Sequence, residues 1–186
     1  MRHLLLVAVM TAGSASANAG VLNLRGIDIG DSCDLVTSTE VLRGGNAALT
    51  NQSPAYGSLL YTDSGVVGQM TQVLYGCFGD YGLAKVERYS ITVSTTDTDR
   101  ARNVYGAAKA AVVARLGAPE LDSDQLNPAD KKAFDTVPSG PSALASWSGP
   151  SSYVIHVSLQ QDPASAAWTV VTSVEPQPAK ATPKHG

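Results

Sequence analysis

The amino-acid sequence predicts an α+β domain, in which two main helices pack on one face of an antiparallel sheet built from two hairpins. Apolar and β-branched runs face each other across short turns, first at 66–94 and again at 151–174. The stretch 96–119 instead repeats its apolar residues at helical spacing. Because strands and helices come in separate runs, an antiparallel sheet with segregated helices is favoured over a parallel one.

The first elements are a strand, a helix and a long loop. Aliphatic and β-branched residues at 21–29 predict a strand that ends at Gly30, and a helix follows with Asp31 or Ser32 as its N-cap. The stretch 44–65 is rich in Gly, Asn and Ser and is predicted to be a loop. Its apolar residues would either fold onto the sheet as a satellite core or contact a partner.

Two hairpins and the longest helix make up the rest. Glycines in the stretch 79–82 provide the first hairpin turn, and the stretch 162–165 joins the strands of the second. The helix within 96–119 has an acidic first turn and ends before Gly117. A short helix is predicted after Asn127, with Pro128 in the first helical position.

The N-terminal 19 residues have the layout of a secretory signal peptide: a basic start, a short apolar segment and the cleavage pattern Ala17-Asn18-Ala19. No cysteine stands directly after that site, so no lipid anchor is expected. No later run approaches the roughly 20 apolar residues of a membrane span. We therefore predict a periplasmic or secreted protein with one domain at 20–174. The Pro-rich tail 175–186 is predicted to be disordered.

The charge pattern argues against nucleic-acid binding. The formal net charge is −3, and the longest basic run is Lys131-Lys132. Proteins that bind nucleic acid or anionic membranes usually carry a clustered basic surface. No phosphate-binding loop follows Gly44-Gly45, and we expect no cofactor.

The two cysteines, Cys33 and Cys77, are predicted to form one disulfide bond. An even pair in an oxidising compartment is most simply explained by a structural bridge. A reactive thiol is the alternative, but Asp31 and Asp34 beside Cys33 disfavour the thiolate.

Catalytic and metal-binding patterns are weak. His156 is the single histidine of the predicted domain, and a hydrolase would have to use it with a nearby serine or aspartate. An outward-facing strand histidine is more often simply a surface residue. Acidic and amide side chains at 122–130 imitate a calcium loop but lack its glycine and final glutamate, so no metal site is predicted.

Two segments resemble a known family. IDIGDSCDLVTSTEVLRG and KAAVVARLGAP are similar to the G-x-S/T…V…LG-x-P helix pattern of small exported α+β proteins of the SmpA/OmlA type. The resemblance implies a partner-binding protein that assists outer-membrane assembly. The sequence departs from the family pattern by lacking the lipid-acceptor cysteine and the proline after the first helix.

We therefore expect an exported envelope protein that acts by binding a protein partner, as an accessory or interaction protein. The predicted contact surface combines the 44–65 loop with the first hairpin tip and consists of four aromatic residues: Tyr56, Tyr61, Phe78 and Tyr81. Two alternatives stay open, an inhibitor of an exported enzyme and a hydrolase that uses His156.

Overall fold

The computed structural model describes residues 25–53, 56–63, 67–79, 83–138, 140–149 and 152–177. The predicted signal peptide and the tail from residue 178 lie outside the described residues. Within the described residues the chain forms these helices and strands in order: α1 (Cys33–Leu42), β1 (Asn46–Ser53), β2 (Tyr56–Asp63), β3 (Gln69–Phe78), β4 (Lys85–Thr95), α2 (Thr98–Leu116), β5 (Leu121–Asp122), α3 (Pro128–Asp135), β6 (Ala143–Gly149), β7 (Tyr153–Gln161) and β8 (Trp168–Pro176).

The strands form one antiparallel sheet in the order β1-β2-β3-β4-β8-β7-β6-β5. The α+β class is therefore confirmed, but the sheet is larger than two hairpins. In chain order α1 precedes β1 to β4, and α2 precedes β5 to β8 with α3 inserted between β5 and β6. The two groups of strands meet where β4 pairs with β8. Strand β8 also extends through Glu175 and Pro176, where the sequence predicted the start of a disordered tail.

The prediction of a loop at 44–65 is wrong, because most of this stretch forms β1 and β2. These strands pair with each other, with Thr50 opposite Leu59, and β2 also pairs with β3. The apolar residues Leu59 and Tyr61 are 6% and 2% exposed, so they fold onto the sheet. Pairing to β3 fixes a segment whose own composition is typical of a loop.

The predicted strand at 21–29 is not present in the part of it that the structure describes. Residues 25–29 form a bend and a turn, with positive φ at Gly26 and Gly30. The chain is nevertheless held against the sheet, since the Gly30 backbone N–H donates to the Val86 carbonyl at 2.8 Å. Ile27 is 1% exposed and belongs to the core.

The core lies between one face of the sheet and the helices α1 and α2. Val36 of α1 and Tyr105 and Val112 of α2 belong to the same hydrophobic cluster as alternate residues of the strands. Helix α2 begins at the N-cap Asp97, whose carboxylate accepts from the Arg100 backbone N–H at 3.0 Å. Asn127 caps helix α3, as predicted, but the helix buries no residue.

The predicted disulfide bond between Cys33 and Cys77 is confirmed, with 6.3 Å between the two Cα atoms. It joins the first turn of α1 to the C-terminal end of β3, where Cys77 is the residue before the last. The Ser32 hydroxyl caps the same end of the helix by accepting from the Leu35 backbone N–H at 3.2 Å. The first helix is thus fixed to the strand that leads into the first hairpin turn.

Candidate functional site

The sheet has a second face, opposite the helices, which we call the open face. Side chains alternate along a strand, so the residues between the core positions form this surface. One row of paired residues crosses it from β6 to β2: Ser146, His156, Ser173, Ser90, Leu74 and Leu60. Helices α1 and α2 bury their apolar residues against the other face, and Leu74 and Met70 remain 42% and 46% exposed.

The middle of the open face is uncharged. Beside the row just described, the next row runs through Ser158, Val171, Thr92 and Gln72. Hydroxyl, amide and aliphatic groups alternate here, and the charged residues of the described strands on this face lie near one end: Lys85, Arg88 and Glu175. Depletion of charge at the centre is typical of protein interfaces.

A cavity of about 180 Å³ opens at the charged end of this face. It is lined by residues of four neighbouring strands: Ser58, Leu74, Gly76, Arg88, Tyr89, Ser90 and Glu175. Gly76 forms its floor because the Arg88 side chain lies across the backbone there. A Cβ atom at position 76 would be 2.7 Å from the Arg88 Cγ, which leaves no room for any side chain while Arg88 keeps this position.

The Arg88 guanidinium is held by an aromatic ring. Its Cζ atom lies 5.5 Å from the centroid of the Phe78 ring, within the range of a cation–π contact. No carboxylate among the described residues forms a salt bridge with Arg88, although Glu175 lines the same cavity. The cavity therefore combines a positioned cation, which forms no salt bridge among the described residues, with two serine residues.

Of the four aromatic residues predicted as a contact surface, the structure describes the side chains of two, Tyr61 and Phe78. Tyr61 is buried, and its ring packs edge-on against Tyr75 at a centroid distance of 6.4 Å, so its predicted place on an exposed loop is wrong. Phe78 is half-buried beneath Arg88 at the end of the open face. The backbone of Tyr56 pairs with Phe78, and Tyr81 lies outside the described residues.

His156 lies on the open face between Ser146 and Ser173. Its Nδ1 atom is buried and has no hydrogen-bond partner among the described residues. Neither serine bonds to it, and no described carboxylate orients the imidazole. In this structure the residues around His156 do not form the hydrogen-bonded chain of a Ser-His-Asp arrangement.

The acidic residues that imitate a calcium loop bind a lysine instead. The Lys109 ammonium donates to Asp122 at 2.6 Å and to Asp124 at 2.7 Å. Burial acts to lower the pKa of Lys109, but these two bonds outweigh it and raise the pKa. Asn127 caps α3, and the described residues contain no cluster of three or more side chains able to hold a metal ion.

Comparisons with known proteins identify no relative. No protein-family model matches the chain, and neither the curated proteins nor the solved structures provide a match. None of the helices in the described part of the chain is long and apolar enough to cross a membrane.

The cavity beside Arg88 was missed by sequence reasoning. A glycine inside an otherwise regular strand is a known sign of close approach by another group, and Gly76 is such a residue. Its partner was hidden because the pairing of β3 and β4 shifts register between Gly76 and Cys77. That irregularity places Arg88 opposite Gly76, and simple counting from the hairpin turn does not find it.

Proposed function

We propose that this chain is an exported binding protein that docks a partner protein on the open face of its sheet. One observation carries the proposal: α1 and α2 both pack on one face, while the opposite face presents a broad, uncharged surface of hydroxyl and aliphatic groups. A surface of this composition buries without the large desolvation cost of unpaired charges.

Export is part of the same proposal. The N-terminal pattern at 1–19 is typical of a signal peptide, and a Cys33–Cys77 bridge fits an oxidising compartment. The resemblance of two segments to SmpA/OmlA-type proteins supports a role in the cell envelope. An exported enzyme is one class of partner, and in that case the protein acts as its inhibitor.

Site-specific photo-crosslinking in the cells that produce the protein tests the docking face. A photoreactive amino acid replaces Ser158 in the middle of the open face, and Ala110 on the outer side of α2 is the matched control. We expect one discrete adduct from position 158 and none from position 110. Equal adducts from both positions, or none from position 158, would contradict the proposal.

A second variant distinguishes the hydrolase hypothesis from the binding function. His156→Ala removes the imidazole from the open face, while Ser146 and Ser173 remain in place. If the protein acts by binding, neither the wild type nor this variant turns over ester or cell-wall substrates. Turnover by the wild type that disappears with His156 would favour the enzyme instead.

A further inference from the structure

The cavity beside Arg88 has the chemistry of a carboxylate receptor. A guanidinium presents a planar fork of N–H donors that matches both oxygens of a carboxylate. Contact with Phe78 and with the backbone at Gly76 restricts the Arg88 side chain before anything binds. An arginine held in this way loses less conformational entropy on binding than a free one.

We propose that this cavity receives an acidic side chain, aspartate or glutamate, of the partner protein; the inference rests on the docking function proposed above. The guanidinium of Arg88 pairs with the carboxylate, and the hydroxyls of Ser58 and Ser90 lie in the same lining as further donors. Leu74 supplies an apolar wall for the methylene groups of the incoming side chain.

The size of the cavity favours a single side chain over a small-molecule ligand. Its volume is about 180 Å³, whereas sites for drug-sized ligands usually span about 300–1,000 Å³. The cavity also adjoins the uncharged middle of the open face through Ser90 and Leu74. A partner that covers this face thus brings its own residues directly over Arg88.

Glu175 sets the strength of the interaction. It lines the cavity without forming a salt bridge to Arg88, so the incoming carboxylate shares this cavity with a second acidic residue. Like charges at such a site repel each other. Removing the charge of Glu175 is therefore expected to strengthen binding, while removing the charge of Arg88 abolishes it.

NMR titration of the isotope-labelled protein tests the cavity without knowledge of the partner. The probe is N-acetylglutamate N′-methylamide, and the uncharged control is N-acetylglutamine N′-methylamide. We expect saturable shifts of the Arg88 side-chain Nε–H and the Gly76 backbone amide with the glutamate probe alone, at millimolar concentration. Equal shifts with both compounds, or no saturable shift with the glutamate probe, would overturn the inference.

Variants assign the binding to individual residues. Arg88→Gln is expected to weaken binding of the glutamate probe at least tenfold, and Arg102→Gln, on the exposed part of α2, should leave it unchanged. Glu175→Gln should strengthen binding about threefold, the size of a solvent-exposed charge interaction. An Arg88→Gln protein that folds and binds the glutamate probe as tightly as the wild type would refute the proposal. If that variant does not fold, the comparison of the glutamate and glutamine probes on the wild-type protein tests the proposal instead.

The failure of this inference is distinguishable from failure of the docking function. If the crosslink from position 158 persists at full yield in an Arg88→Gln background, the open face docks the partner but the acidic anchor is wrong. If that crosslink is absent even in the wild-type background, the docking function itself fails. A crosslink that is present in the wild type and lost with Arg88→Gln supports both.

Discussion

Replacing Tyr75 by phenylalanine is expected to lower the free energy of unfolding by about 2 kcal/mol at pH 7, because it deletes a hydrogen bond to a buried carboxylate. The Tyr75 hydroxyl donates to Glu40 Oε1 at 2.6 Å. Arg25 donates to both oxygens of the same carboxylate, at 3.1 and 2.9 Å. The Glu40 side chain is fully buried, so water cannot replace a missing donor.

The magnitude follows from what the substitution leaves behind. A hydrogen bond to a charged group contributes about 1.5–3 kcal/mol. The aromatic ring of position 75 is kept, and with it the packing against Tyr61 and against Tyr89, whose centroids lie 6.4 and 6.0 Å away. The matched control is Tyr61→Phe, whose hydroxyl meets only the neutral Thr37 hydroxyl at 3.3 Å and should cost about 1 kcal/mol or less.

The same contact has a definite pH dependence. Burial acts to raise the pKa of Glu40, but the bonds from Arg25 and Tyr75 outweigh it and hold the pKa below its ordinary value. The folded state therefore binds fewer protons than the unfolded state near pH 4. The stabilisation is fully present above the unfolded pKa of about 4.3 and is lost as pH falls through the folded pKa.

Urea denaturation with the disulfide intact, at pH 7 and again in acid below the folded pKa of Glu40, measures both effects. We expect the difference in stability between wild type and Tyr75→Phe to shrink in acid, since a protonated Glu40 no longer presents a charged acceptor. The reasoning is refuted if Tyr75→Phe costs no more than Tyr61→Phe at pH 7, or if its cost is the same at both pH values.

Three other changes give equally direct tests. Tyr105→Phe removes a buried hydroxyl that has no partner among the described residues, so stability at pH 7 should rise by about 1 kcal/mol, the lower end of the cost of an unpaired buried polar group. Burial raises the pKa of Tyr105 to about 12, so between about pH 10 and 12 the unfolded state loses this proton more readily than the folded state, and the wild type loses stability as pH rises through this range. Urea titration at pH 11 should therefore find the phenylalanine variant more stable than the wild type. Replacing Cys33 and Cys77 together by alanine opens a loop with a sequence separation of 44. The free energy of unfolding, measured by urea denaturation, should fall by about 4 kcal/mol. Gly76→Ala should displace the Arg88 side chain from its position at a cost of about 1 kcal/mol and weaken binding of the glutamate probe, measured by the same NMR titration. Unchanged binding would show that the glycine floor does not position Arg88.

The sequence predicted those parts of the fold that depend on residues close together in the chain. The stripe of α2, the alternation along β7 and the capping residue Asn127 are properties of short segments, and all three appear in the structure. Strand β1 has the composition NAALTNQS, which is polar, uncharged and typical of a loop. Its place in the sheet comes from pairing with β2, and pairing between segments leaves little trace in composition.

The candidate site was less predictable for a related reason. Tyr61 was assigned to an exposed loop, although Leu59 and Tyr61 are two residues apart and both point into the core once the segment is a strand. Arg88 carries no sequence signal of its own. It becomes a candidate only when the register of β3 and β4 places it over Gly76 and beside Phe78.

Helices α1 and α2 differ in how much apolar surface they bury against the sheet. Helix α2 has 19 residues and packs across β4, β6, β7 and β8. The indole N–H groups of Trp168 and Trp147 also donate to the Thr98 hydroxyl and the Gly117 carbonyl at its two ends, both at 3.0 Å. Helix α1 has 10 residues and buries only Val36 and Glu40 among its side chains. Its first turn is bonded to β3 through Cys33, and its last turn through Glu40 and the Tyr75 hydroxyl. A short helix thereby gains two specific attachments to the strand that carries Gly76 on its other face. The bonds that fix α1 thus also fix the strand beneath the proposed carboxylate receptor.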